Sequence, residues 1–150
     1  MTYDMYQPKR CCHHTALYSQ NDTFMCADTA VSLYTQAGIP TEKIMVGCAM
    51  YGRVFEYDSV SDSPIYSPSP SNGSETIHFY LLNNDPDYVP HFDHHAKAAY
   101  ALGHDRFVTY DSVESINCKR RYAHQNNLMG LMCWEYGGDD RGILLKAMHG

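Results

Sequence analysis

Three short clusters in this sequence join aromatic rings to charge: Tyr3-Asp4, Tyr51-Gly52-Arg53 and Trp134-Glu135. Together they suit a neutral, polyhydroxylated ligand that stacks on ring faces and is oriented by a few polar groups. No phosphate signature accompanies them, neither a G-x-G-x-x-G nor a Walker loop. Two further groups invite a metal: His91, Asp93, His94 and His95, and Cys11-Cys12 with His13-His14. Neither has the spacing of a zinc motif, so both are expected to be solvated loop residues, with no metal and no cofactor.

The elements that must position these clusters can be read from periodicity and punctuation. Residues 1–5 read as a short strand end. Ala27, Ala30, Val31 and Tyr34 fall at i, i+3, i+4 and i+7, an apolar helical stripe that Gly38 closes and Pro40 follows. The continuous apolar run 44–51 predicts a strand buried on both faces, as in a parallel sheet. Ser, Pro and Asp over 58–73 mark a surface excursion. A helix is expected over 76–83, a small irregular or β-rich segment over 88–100, and a short strand over 106–110. Asp111 and Glu114 have the spacing of a capping box opening a helix to about Asn126. A second buried strand over 128–134 and a helix over 141–148 complete the order.

Strands alternating with helices indicate an α/β fold with a parallel sheet. Three such units fit an open doubly wound sheet or one arc of a TIM barrel. Chemistry gathers at the C-terminal ends of the strands in both, which is where the three clusters fall.

Composition narrows the classes. The chain has 150 residues, 44% hydrophobic and 19% charged, enough for one domain with a core. Its net charge of −6 argues against a nucleic-acid surface, and Lys119-Arg120-Arg121 is expected on a solvated helix face. No run approaches the roughly 18 apolar residues of a membrane span. Thirteen tyrosines suit either sugar recognition or strand packing. Six cysteines without a C-x-x-C pair are expected as buried free thiols, which leaves the redox compartment open.

The chain also resembles glycoside hydrolase family 18, the chitinase family. Met1-Thr2-Tyr3-Asp4 is similar to the family's M-x-Y-D on barrel strand 6, and His13-His14-Thr15-Ala16-Leu17-Tyr18 to the loop after it. Ala30-Val31, Gly38-Ile39-Pro40 and Glu42-Lys43-Ile44 resemble helix 6 and its lead into strand 7, which ends in Met50-Tyr51-Gly52-Arg53. Tyr110-Asp111-Ser112-Val113-Glu114-Ser115-Ile116 is similar to the start of helix 7, and Met132-Cys133-Trp134-Glu135-Tyr136 to strand 8.

The resemblance implies a partial TIM (β/α)8 barrel, its last three βα units formed by 1–57 and 106–150. Residues 58–105 would be an α+β insertion that raises one wall of the cleft. Tyr66, Tyr80, Phe92 and Tyr100 are candidates for that wall, with core packing the favoured role of each. The implied activity is hydrolysis of chitin, a β-1,4-linked N-acetylglucosamine polymer, by a substrate-assisted retaining mechanism. Catalytic roles fall to Tyr3, holding the acetamido group, and Asp4, adjusting the acid. Met1, Tyr51, Arg53 and Trp134 would bind substrate. Secretion is implied as well, with chitin or N-acetylglucosamine oligosaccharides as partners.

One departure matters. The family's acid lies in D-x-x-D-x-D-x-E, and that pattern occurs nowhere in the 150 residues. Glu135 has no aspartates placed to serve it as such. The chain is therefore expected to be a fragment missing the N-terminal part of the barrel, inactive alone and poorly stable or prone to associate through open sheet edges. A non-catalytic, lectin-like chitin binder and a relative acting on bacterial wall or spore glycans are the alternatives.

Overall fold

A computed structural model of the chain describes residues 1–19, 23–57 and 64–150. The run 44–51 does not form one strand. It forms β1 (Met45–Ala49), passes through Met50, and continues as β2 (Tyr51–Glu56) in a different sheet. β1 pairs in parallel with β7 (Gly130–Trp134), in register from Met45↔Gly130 to Ala49↔Trp134. β2 enters a five-stranded antiparallel sheet of order β3-β2-β6-β5-β4, with β3 (Glu75–His78), β4 (Val89–Asp93), β5 (Ala98–Gly103) and β6 (Arg106–Tyr110). Met50 is the joint: its N–H donates to Trp134 O at 2.8 Å and its carbonyl accepts from Phe79 N at 3.0 Å.

Helix α1 (Ala27–Gln36) buries Ala27 and Val31 as its stripe predicts, but Tyr34 remains 60% exposed. Gly38, at φ 86°, ends it in the left-handed region that glycine enters without strain. The buried side of α1 meets Ile44 and Val46 of the β1 segment and Cys118 and Tyr122 of α3 (Val113–Gln125). A second core joins Cys48, Met50 and Val54 to Val108, Ile116, and Leu144 and Ala147 of α4 (Ile143–His149). The parallel connection from β1 to β7 thus runs through α3, which packs over both strands.

Several expectations are corrected. Residues 1–5 form no strand; the Thr2 hydroxyl bridges both the N–H and the carbonyl of Gly47, at 2.7 and 3.1 Å, in place of a backbone ladder. The helix expected over 76–83 starts only at α2 (Phe79–Asn84), because 75–78 add to the edge of β2 as β3. β7 is half-buried rather than fully buried. α3 is capped by Ser112 with Ser115, one residue beyond the expected Asp111 cap. Asp111 is occupied elsewhere: its carboxylate accepts from Ala49 N (2.9 Å), Ser115 Oγ (2.7 Å), Thr15 Oγ1 (3.0 Å) and Lys119 Nζ (2.7 Å).

Lys119 is accordingly not on a solvated face, since both members of this ion pair are fully buried. His13 and His14, with Cys11 and Cys12, are likewise buried rather than solvated. Asp93 pairs with His13 at 3.2 Å, tying the β4 end to the 11–15 loop. The expected surface excursion is described only from Pro64 onward; its first residues lie outside the described residues. The six cysteines are free, five of them buried.

Candidate active site

Asp4 lies in the irregular 1–5 segment, in a left-handed conformation at φ 59° that Asp tolerates better than most residues. Its Oδ1 accepts from the Tyr51 hydroxyl at 2.8 Å and from Arg53 Nε at 2.7 Å. Those donors lie two apart on β2 and therefore on one face of the strand. The opposite edge of that face comes from β3, where His78 is in register with Tyr51 and Thr76 with Arg53. Trp134 and Glu135 follow at the end of β7. Asp4, Tyr51, Arg53, Thr76, His78, Trp134 and Glu135 line one cleft of about 210 Å³.

Position in this cleft depends on close backbone approaches. Gly47 is one: a Cβ there would meet Thr2 N at 2.8 Å and Tyr3 Cε1 at 2.9 Å, so its absence lets the Tyr3 ring lie against β1. Tyr3 is buried, packs edge-on to Tyr51 at 6.2 Å between ring centroids, and its hydroxyl has no partner among the described residues. Arg53 also donates to Ser74 O at 3.2 Å, so its guanidinium joins Asp4 to the lead into β3.

The electrostatics favour a fixed carboxylate. Burial pushes the Asp4 pKa up, but the hydrogen bonds from the Arg53 guanidinium and the Tyr51 hydroxyl outweigh it, leaving the carboxyl well below the usual range. Burial, then the hydrogen bond to Asp4, pushes the Tyr51 phenol up, so it stays a neutral donor. The hydrogen bond to Asp4 raises Arg53 further. Burial raises the Tyr3 phenol.

Of the residues expected from sequence, Tyr51, Arg53, Asp4 and Trp134 line the cleft, and Tyr3 lies behind it against Tyr51. Met1 is 86% exposed and lines a separate apolar groove of about 740 Å³ with Asp4, Tyr6, Leu33, Tyr34 and Met45. Thr76 and His78 were hidden by the helical reading of 76–83. A period-two pattern over 75–78, with Thr76 and His78 on one face, was the available signal. Tyr80, a wall candidate, stacks on His78 at 5.7 Å, whereas Tyr100 is stacked between His91 and Phe107.

Residues 1–139 match the family model described as glycosyl hydrolases family 18. The chain belongs to glycoside hydrolase family 18. The chain is 33% identical over 153 residues to a probable endochitinase of Orgyia pseudotsugata multicapsid polyhedrosis virus, covering 91% of this chain and 27% of that protein. It is 28% identical to chitotriosidase-1 of Mus musculus, covering 93% and 33% of the two chains. Among solved structures, a family 18 N-acetylglucosaminidase of Paenibacillus barengoltzii superposes with a TM-score of 0.92 at 35% identity, covering 99% of this chain and 46% of that one. A family 18 chitinase of Cycas revoluta in complex with (GlcNAc)4 superposes at 0.91 with 26% identity, covering 99% and 44%. The chain thus spans less than half the length of these relatives, and it shares its α/β architecture with the two solved family 18 structures. Among the described residues, no helix is long and apolar enough to cross a membrane.

Proposed function

We propose that the cleft holds successive sugars of a β-1,4-linked N-acetylglucosamine polymer, as the substrate-positioning part of a chitinase-type glycosidase. One observation carries this reading: a single carboxylate, Asp4, is gripped by Tyr51 and Arg53 in the same cleft as the exposed ring of Trp134. Rings bind the apolar faces of sugars while the fixed donors and acceptors orient their hydroxyl and amide groups. Trp134 is the floor, Tyr51 and Arg53 line the neighbouring subsites, and Met1 would wall the adjoining groove that shares Asp4 with the cleft. The Tyr3 hydroxyl, buried behind the cleft without a partner among the described residues, would be the donor for an acetamido oxygen once its ring turns toward the cleft, aligning that oxygen for attack on the sugar's own anomeric carbon. Asp4 would tune the acid that protonates the leaving oxygen. That acid is not supplied by a D-x-x-D-x-D-x-E in these 150 residues.

In the same reading the parallel β1–β7 pair with α1, α3 and α4 belongs to the last three βα units of a (β/α)8 barrel. Residues 58–105 are then an α+β insertion walling the cleft. Export from the cell belongs to this reading as well, since the polymer lies outside it. Sugar binding without hydrolysis is the second reading, favoured for the 150 residues taken alone by the lack of the acid motif.

Trp134 is the only tryptophan, so its fluorescence reports on the cleft directly. Titration with the N-acetylglucosamine tetramer is expected to shift that emission saturably, and Trp134→Ala is expected to abolish binding measured by calorimetry. Absence of tetramer binding would sink the proposal. The 150 residues alone are expected not to turn over a chromogenic chitobioside; turnover would require an acid outside the family motif.

A further inference from the structure

The loop 11–15 is packed, and one of its rings reaches Asp4 from behind. His14 is fully buried. Its Nδ1 lies 3.3 Å from the backbone nitrogen of Asp4 and 3.5 Å from Asp4 Oδ1, and its ring centroid is 5.3 Å from that of Tyr51. Its own backbone is held on both sides. The carbonyl accepts from Met5 N at 3.0 Å, and the N–H donates to Thr109 Oγ1 at 3.2 Å. The next residue, Thr15, is fixed by the buried Asp111–Lys119 pair. The ring is therefore mounted on rigid structure and has little freedom to move away from Asp4.

The two atoms facing Nδ1 make opposite demands. The Asp4 N–H needs a bare nitrogen that accepts, whereas the Asp4 carboxylate needs a protonated nitrogen that donates. Hydrogen-bond geometry is met at the N–H. The proton then sits on Nε2, which is buried and has no partner among the described residues. An aliphatic or phenyl side chain would fill this volume without burying an orphan donor. What the imidazole adds is the acceptor facing Asp4. Asp4 needs one, because its left-handed backbone persists only where its surroundings hold it.

We propose that His14 is a positioning residue for Asp4. Its bare Nδ1 accepts the Asp4 N–H, holds the φ 59° conformation, and so keeps the carboxylate on Tyr51 and Arg53. The backbone part of this inference stands on geometry alone; its functional readout rests on the sugar-binding reading above.

The first test needs no ligand. Nitrogen-15 NMR of the ring in the full chain is expected to show an unprotonated Nδ1, coupled to the Asp4 amide, and a protonated Nε2. A proton on Nδ1 overturns the proposal. The second test compares His14→Asn, whose amide oxygen can stand where Nδ1 does, with His14→Phe, which fills the space without an acceptor. Among variants that keep the melting temperature, H14F is expected to weaken N-acetylglucosamine tetramer binding roughly ten-fold or more, and H14N to recover most of it. Equal losses in both variants, or none in either, overturn it. If the unsubstituted chain does not bind the tetramer, the sugar reading fails; the ring tautomer and the Asp4 amide shift in the two variants still decide the role of His14.

Discussion

Asp4 Oδ1 lies 2.7 Å from Arg53 Nε, across 49 residues of sequence, and the same oxygen takes the Tyr51 hydroxyl at 2.8 Å. One carboxylate thus fixes two side chains of β2 and is itself fixed by them. Arg53→Met removes the guanidinium and keeps the stem. The Asp4 pKa is then expected to rise toward the ordinary carboxylate value, because burial is no longer offset as fully. Carbon-13 titration of the Asp4 carboxyl measures this. Stability is expected to change little, since the Asp4 side chain is 39% exposed and solvent screens the pair. An unmoved Asp4 titration would mean that the Tyr51 hydroxyl suffices.

The buried Lys119–Asp111 pair makes a larger demand. Both side chains are fully buried, and Lys119 also donates to Thr15 Oγ1 and to Gly47 O at 3.3 Å. Lys119→Met leaves a carboxylate buried beside Ala49 N and Ser115 Oγ with no countercharge, an expected loss of about 3–5 kcal/mol in urea unfolding. Adding Asp111→Asn removes that charge and is expected to recover part of the loss. A single variant as stable as the parent would show that water reaches this site.

Gly47 predicts a steric effect on the site. A methyl there meets Thr2 N at 2.8 Å and Tyr3 Cε1 at 2.9 Å, and Thr2 is held to the same residue by two hydrogen bonds. Gly47→Ala is expected to cost about 1–3 kcal/mol and to displace the Tyr3 ring. The ring-current shifts of Tyr3 and Tyr51 in proton NMR report the displacement.

Acid sensitivity should appear at Asp93. The hydrogen bond from His13 holds its pKa down to about 2, with the Ala96 and His95 amides helping and burial opposing. The folded value lies below the roughly 3.9 of an unfolded Asp, so the stability it contributes is present above about pH 4 and is lost as pH falls toward about 2. Unfolding midpoints measured over that window should fall more steeply in the parent than in Asp93→Asn.

Thiol chemistry separates the two facing cysteines of the parallel pair. Cys48 and Cys133 are register neighbours, yet Cys48 is fully buried and burial pushes its thiol up to about 12, while Cys133 is partly exposed. Iodoacetamide at neutral pH is expected to modify Cys133 first and Cys48 only on unfolding. Peptide mass mapping at short times distinguishes the two; equal rates would mean that β1 and β7 open locally.

The sequence by itself determined the pieces with strong local periodicity and the side chains at strand ends. The α1 helix with Ala27 and Val31 buried, the first part of the 44–51 run, the β6 segment, the α3 span and the grouping of Asp4, Tyr51, Arg53 and Trp134 were legible because each rests on short-range pattern or on residue chemistry. The family was legible too, through six ordered motifs that a single chain carries. Only the tertiary structure decided the rest. Residues 75–78 became a strand because the β2 edge offered backbone partners, which a helical reading of their pattern cannot weigh. Lys119 in a basic triplet, and His13 and His14 in a polar loop, look solvated by composition. They are buried because Asp111, Asp93 and Asp4 lie close to them in space, across 8, 80 and 10 residues of chain. Burial of a polar group depends on a partner brought by the fold, and sequence spacing alone does not reveal that partner.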